Sequence, residues 1–151
     1  MTEITEGSKA PAFDMPADGG GRATLSGPTV LYFYPKADTP GCTNEAKDFT
    51  AYADAFTKAG VTVIGVSKDP VKKLDKFKAK YDLKVTLASD EETGVTEAYG
   101  VWVEKSMYGK TYMGIERATF LIDGTGVVRR VWRKVSVKGH AEEVLAAAQA
   151  F

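Results

Sequence analysis

The sequence predicts an α/β domain built on a mixed, partly parallel β-sheet flanked by helices. Three observations carry this prediction. Residues 29–34 are a continuous β-branched and aromatic run, the pattern of a strand buried on both faces of a sheet, and residues 61–66 read as the next buried strand. Each run is followed by a segment of helical period, and strands alternating with helices imply parallel crossovers. Near the end, Asp123-Gly-Thr-Gly126 separates two apolar runs, 118–122 and 127–132, as a hairpin turn would.

The elements follow in order. Gly19, Gly20 and Gly21 mark a surface loop in a loose N-terminal extension. The strand at 29–34 leads to a helix over 43–58, with Ala46, Phe49, Ala53 and Phe56 on one face and Gly60 as its stop. The strand at 61–66 leads to a helix from Asp69, read as N-cap with Pro70 at N1, to about Tyr81. Leu74, Phe77 and Tyr81 form its apolar stripe. A short strand at 85–88 and a short helix at 91–99 come next. Residues 100–116 show no period and read as loop. The hairpin and a closing helix over 139–150, with Val144, Leu145 and Ala148 at helical spacing, give the order β-α-β-α-β-α-β-β-α. No repeat or composition shift divides the chain, so residues 1–151 are expected to form a single domain.

Charge and composition exclude several classes of function. Twenty Lys+Arg balance twenty Asp+Glu, so no overall positive field draws nucleic acid or an anionic membrane. No run of eighteen apolar residues suggests a membrane span. The acidic start at 1–6 has no apolar core and does not read as a secretory leader. One Cys and one His, Cys42 and His140, do not suggest a structural metal site, and no metal or cofactor is expected. A lone thiol suits a reducing compartment, so a cytoplasmic location is expected.

The chemistry concentrates in Pro35-Lys-Ala-Asp-Thr-Pro-Gly-Cys42. A buried strand ends, a loop punctuated by Pro and Gly follows, and Cys42 falls at the entry of a helix. The first N–H groups of a helix lack partners and carry partial positive charge, which favours a thiolate, the nucleophilic form of cysteine. The competing reading is a small buried hydrophobe. Against it, Pro, Asp, Thr and Gly do not build an apolar wall.

The stretch resembles the peroxidatic-cysteine loop of peroxiredoxins, Pro-x-x-x-Thr/Ser-x-x-Cys, with Pro35, Thr39 and Cys42 in register. The longer string from Phe33 to Ala46, with Tyr99-Gly-Val-Trp102, 109–115 and Arg117-Ala-Thr-Phe-Leu-Ile-Asp123, is similar to the bacterioferritin comigratory protein, or peroxiredoxin Q, branch. The resemblance implies a thioredoxin-like fold and reduction of hydrogen peroxide and small alkyl hydroperoxides, with Cys42 passing to a sulfenic acid. It implies that Thr39 donates to the thiolate or accepts from the peroxide. Arg117 would place a guanidinium beside the sulfur, and Pro35 would shield it. The N–H groups of Gly41 and Cys42 would hold the peroxide oxygens. Glu45 either orders the loop or is a first-turn Glu favoured by the helix dipole.

Many members of that branch carry a second Cys five residues after the first; here that position is Lys47. The chain therefore reads as a one-Cys form, its sulfenic acid met by thioredoxin, glutaredoxin or a small thiol in a monomer or weak dimer. The alternative class is a thiol–disulfide exchange or redox-sensing module, but Cys42-Thr-Asn-Glu45 lacks the second Cys of Cys-x-x-Cys. Gly109-Lys-Thr111 has Glu104 where a P-loop needs Gly. Lys72, Lys73, Lys76, Lys78 and Lys80 form a basic helix face, read as solvent-facing or as a docking patch for an acidic partner. Asp38 reads as a solvated turn residue, and His140 as structural or exposed.

Overall fold

A computed structural model describes residues 4–151; the first three residues of the acidic start lie outside the described residues. Five strands form the central sheet: β3 (Thr29–Phe33), β4 (Thr62–Ser67), β5 (Thr86–Ser89), β8 (Ala118–Ile122) and β9 (Val128–Trp132). Their spatial order is β5-β4-β3-β8-β9. Strands β3, β4 and β5 run parallel, and β8 and β9 join antiparallel. Every residue of β3 and β8 is buried, as their unbroken apolar runs require.

Two aromatic-rich cores cover the two faces. On one lie α1 (Pro40–Ala51), α2 (Ala53–Lys58), α3 (Val71–Tyr81) and α5 (His140–Gln149), packed around Tyr32, Tyr34, Phe49, Phe56, Leu74 and Phe77. On the other, Phe13, Met15, Phe33, Tyr99 and Phe120 meet beneath α4 (Val95–Ala98) and the N-terminal hairpin of β1 (Asp14–Pro16) and β2 (Arg22–Thr24). Tyr32 stacks on Phe49 with centroids 4.6 Å apart and lies across its partner Gly65. A Cβ at Gly65 would sit 2.5 Å from the Tyr32 ring, so only glycine admits this packing.

Four sequence expectations about the helices change. The helix expected at 43–58 begins earlier, at Pro40, whose fixed φ suits N1. It also breaks at Tyr52, whose N–H turns to the carbonyls of Phe49 and Thr50; α2 restarts at Ala53 and sets Phe56 against Phe49. Asp69 does not cap α3. Its carboxylate instead accepts from the Ala37 N–H at 2.7 Å and the Ser67 hydroxyl at 2.8 Å, and Pro70 takes the N-cap position. The short helix is reduced to Val95–Ala98, its first N–H groups held by the buried Asp90 carboxylate.

Residues 100–116, expected to be loop, hold a hairpin: β6 (Trp102–Met107) pairs antiparallel with β7 (Lys110–Ile115). Its two-residue turn, Tyr108-Gly109, has positive φ at both positions, the geometry that matches strand twist. Most of the hairpin is exposed or half-buried, so no apolar alternation advertised it. Among the described residues no helix is long and apolar enough to cross a membrane.

Candidate active site

Cys42 lies in the first turn of α1 and is 2 % exposed. The chain leaves β3 at Phe33, and Phe33 pairs with Ala118 of β8. Arg117 immediately precedes Ala118, so this register sets it across from the loop that Cys42 closes. Arg117 Nη2 donates to Cys42 Sγ at 3.3 Å, and its Nη1 donates to Glu45 Oε1 at 2.5 Å. Glu45, one turn beyond Cys42 on α1, is buried, and its Oε2 has no hydrogen-bond partner among the described residues.

The electrostatics follow from burial. Desolvation pushes the Glu45 carboxyl up to about 7, and the Arg117 charge offsets this only in part. Burial also opposes the charge on Arg117, but Glu45 and the sulfur outweigh it and raise its pKa. A guanidinium fixed against the sulfur places positive charge where negative charge on it would be offset. Because α1 begins at Pro40, Glu45 falls beyond the first turn; its partner is Arg117 rather than the helix dipole alone.

The other predicted residues take distinct places. Thr39 is the N-cap, but its hydroxyl donates to the Lys36 carbonyl at 2.8 Å, leaving its oxygen free to accept. Gly41 lies under the guanidinium: a Cβ there would be 3.3 Å from Arg117 Nη2. The N–H groups of Gly41 and Cys42 belong to the first helical turn, which has no intrahelical acceptors. Pro35 is exposed and belongs to the rim of the loop. Lys47 is exposed on α1, its Nζ 6.0 Å from the Tyr81 ring centroid.

Two residues of this neighbourhood gave no signal in the sequence. Asp38, read as a solvated turn residue, ties the loop to α3: it accepts from Tyr81 Oη at 2.6 Å and Lys80 Nζ at 2.9 Å, bonds that lower its pKa. Lys105 of β6 donates to the Ile115 carbonyl at 2.5 Å, its stem running over Gly114. Burial, and then Arg117, pull its ammonium below the usual lysine range. A lysine in a stretch without period offers nothing to single it out. His140 is buried, bonded to Thr119 at 2.8 Å, and burial lowers it to about 4.

A fold with three parallel strands, a cysteine at a helix entry and an arginine from the antiparallel neighbour defines a thiol-based redox protein. The family model "AhpC/TSA family" matches residues 7–131. The chain belongs to the AhpC/TSA family, and within it is a peroxiredoxin, a thiol-dependent peroxidase. It is 46% identical over 156 residues to peroxiredoxin Bcp of Xanthomonas campestris, covering 99% of this chain and 98% of that one. It is 47% identical over 146 residues to peroxiredoxin Bcp of Bacillus subtilis, covering 94% and 93%. Among solved structures, it superposes on a cysteine-to-serine mutant of Xylella fastidiosa PrxQ with a TM-score of 0.92, at 37% identity and coverage of 99% and 98%. It superposes on the bacterioferritin comigratory protein of X. campestris, studied for alkyl peroxide reduction, with a TM-score of 0.86, at 46% identity and coverage of 91% and 90%. The mixed sheet with flanking helices is the thioredoxin-like peroxiredoxin fold.

Proposed function

We propose that Cys42 is the peroxidatic thiol for hydrogen peroxide and small alkyl hydroperoxides, in a single catalytic domain of one-Cys type. The thiolate attacks the terminal peroxide oxygen. The S–O bond forms as the O–O bond breaks, and the departing alkoxide or hydroxide takes a proton and leaves as alcohol or water. Cys42 is left as a sulfenic acid. The single observation that carries this reading is the Arg117 guanidinium held at 3.3 Å from the sulfur and tied to Glu45. Arg117 stabilises charge on both sulfur and leaving oxygen. The Thr39 oxygen accepts from the peroxide hydroxyl, and the N–H groups of Gly41 and Cys42 hold its oxygens. Pro35 limits water at the rim, and Glu45 orients Arg117.

The chain has one Cys, so it resolves no sulfenic acid within itself. An external thiol, from thioredoxin, glutaredoxin or a small molecule, displaces water from sulfur to give a mixed disulfide, and a second thiol restores Cys42. The protein works as a monomer or weak dimer in the reducing cytoplasm, where such thiols are kept reduced. The test is stopped-flow consumption of hydrogen peroxide by the reduced protein. Rapid single-turnover oxidation that disappears in Cys42→Ser is expected; oxidation no faster than that of a free thiol would overturn the reading.

A further inference from the structure

Beside the Cys42 loop lies an open groove of about 620 Å³, between Asp38 and the outer face of α3. Pro70 lines it over the buried Phe77, and Lys72, Lys73, Lys76 and Lys80 line the rest. The acidic groups on this flank are already engaged. Asp38 holds Lys80 and Tyr81; Asp69 holds Lys73 at 3.4 Å together with the Ala37 N–H; Asp75 accepts from the Gly19 N–H at 2.8 Å. Lys72 and Lys76 are exposed, with no acidic partner among the described residues. They stand one helical turn apart on one face of α3. Lys47, leaning toward Tyr81, continues the positive rim onto α1.

The groove meets the Cys42 loop at Asp38. Asp38 precedes Cys42 by four residues, and the last two steps are helical, so their Cα atoms lie within about 13 Å. A peptide of three residues extends about 10 Å. Cys42 is nearly enclosed, so its reductant must bring a thiol into a narrow site.

We propose that this groove seats the reductant, and that the reductant is a small anionic peptide thiol whose carboxylates meet Lys72 and Lys76 while its body lies on Pro70 and the methylene stems of the lysines. The proposal rests on Cys42 as the peroxidatic thiol and names the class of molecule that restores it. The steps balance. The first thiol attacks the Cys42 sulfenic sulfur, an S–S bond forms and water leaves. The second attacks the outer sulfur of the mixed disulfide, releasing the Cys42 thiolate, a symmetrical small disulfide and a proton. One peroxide is reduced and two thiols are oxidised. Charge complementarity selects the occupant: focused positive charge raises the local concentration and on-rate of an anion about tenfold or more.

The test compares glutathione, net negative with two carboxylates, with its diethyl ester, the same scaffold carrying net positive charge. Peroxide-oxidised protein is mixed with each thiol at an ionic strength of about 10 mM, where the screening length is about 30 Å. Rates are corrected for thiolate fraction. Glutathione is expected to react at least about tenfold faster than the ester. K72E/K76E should abolish that preference, and K72Q/K76Q should reduce it to an intermediate value, while the rate of peroxide oxidation stays within about twofold. Equal rates for the two thiols, or a preference that survives K72E/K76E, would overturn the proposal. So would a charge reversal that slows only an acidic dithiol protein, which would assign the lysines to a protein surface. The same comparison on protein whose Cys42 is blocked as a methyl disulfide uses no peroxide. It separates failure of the groove from failure of the peroxidase reading, which shows in the peroxide step alone.

Discussion

Helices α1 and α3 pack on the same face of the sheet and handle charge in opposite ways. Helix α1 buries Cys42 and Glu45 in its first two turns and receives a cation, Arg117, from a neighbouring strand. Helix α3 buries Leu74 and Phe77 and displays its five lysines along the remaining surface. Charges withdrawn from water interact strongly, and each depends on its partners. Charges at the surface are screened, and individually contribute little. One helix end holds three groups in fixed geometry, and the other lines a surface groove with lysines.

The sharpest break in this comparison is Arg117→Ala. Single-turnover oxidation of Cys42 is expected to fall at least about 100-fold, close to 3 kcal/mol, because a preorganised donor to the reacting atoms is lost. Lys76→Ala, on α3, should change that rate less than about twofold. Similar losses in both variants, measured by stopped-flow, would erase the distinction between the helices.

Glu45→Gln tests whether burial or ion pairing governs the carboxylate. An ion pair alone would lower the Glu45 pKa, but burial wins and pushes it up to about 7 from 4.5. With the folded value raised, the contribution of Glu45 to stability is fully present below pH 4.5 and is lost as the pH rises through about 7. Relative to the non-titrating glutamine, the parent protein should lose on the order of 3 kcal/mol between those limits. Denaturant unfolding of both proteins at pH 5 and pH 8 measures this, and a constant difference would show that the pair dominates instead.

Asp69→Ala probes the point where the two helices are joined. It removes acceptors for the Ala37 N–H and the Ser67 hydroxyl. A loss of about 2 kcal/mol in unfolding free energy is expected. A value within about 0.5 kcal/mol, as for ordinary surface substitutions, would mean that the Cys42 loop does not depend on this tie. A smaller loss than that of Arg117→Ala is expected from Gly41→Ala. The added Cβ presses on Arg117 Nη2 at 3.3 Å, so the guanidinium must shift by a few tenths of an ångström. Peroxide oxidation should slow by about tenfold with stability nearly unchanged. An unaltered rate would show that Arg117 tolerates displacement.

The legible parts of this protein share a physical character. Strands β3 and β8 are buried on both sides, so their composition announces them; the Asp123–Gly126 turn needs residues of special conformation. Hairpin β6–β7 was missed because neither face is consistently buried, and a strand without a dry face has no reason to alternate. Asp69 departs from its local signal for a related cause. An Asp before Pro satisfies the local rule for a helix start, but the Ala37 N–H, 32 residues away, had no place in a local pattern. Asp38 is the exposed turn residue its sequence suggests, but its bonds to α3 left no local sign, because those partners lie more than forty residues on.

The sequence by itself determined the buried strands of the central sheet and the helices between them, the helix-entry position of Cys42 and, through the spacing of Pro35, Thr39 and Cys42 with Arg117 beyond, the family to which the chain belongs. Those properties depend on short-range backbone preference and burial, which are written in consecutive residues. Tertiary structure alone decided that Glu45 is buried against Arg117, that Gly41 clears space for the guanidinium, and that lysines of α3 border a groove next to the Cys42 loop. Each of these joins segments far apart in the chain, and their energies depend on distance and exclusion of water, which exist only once the sheet has set its register.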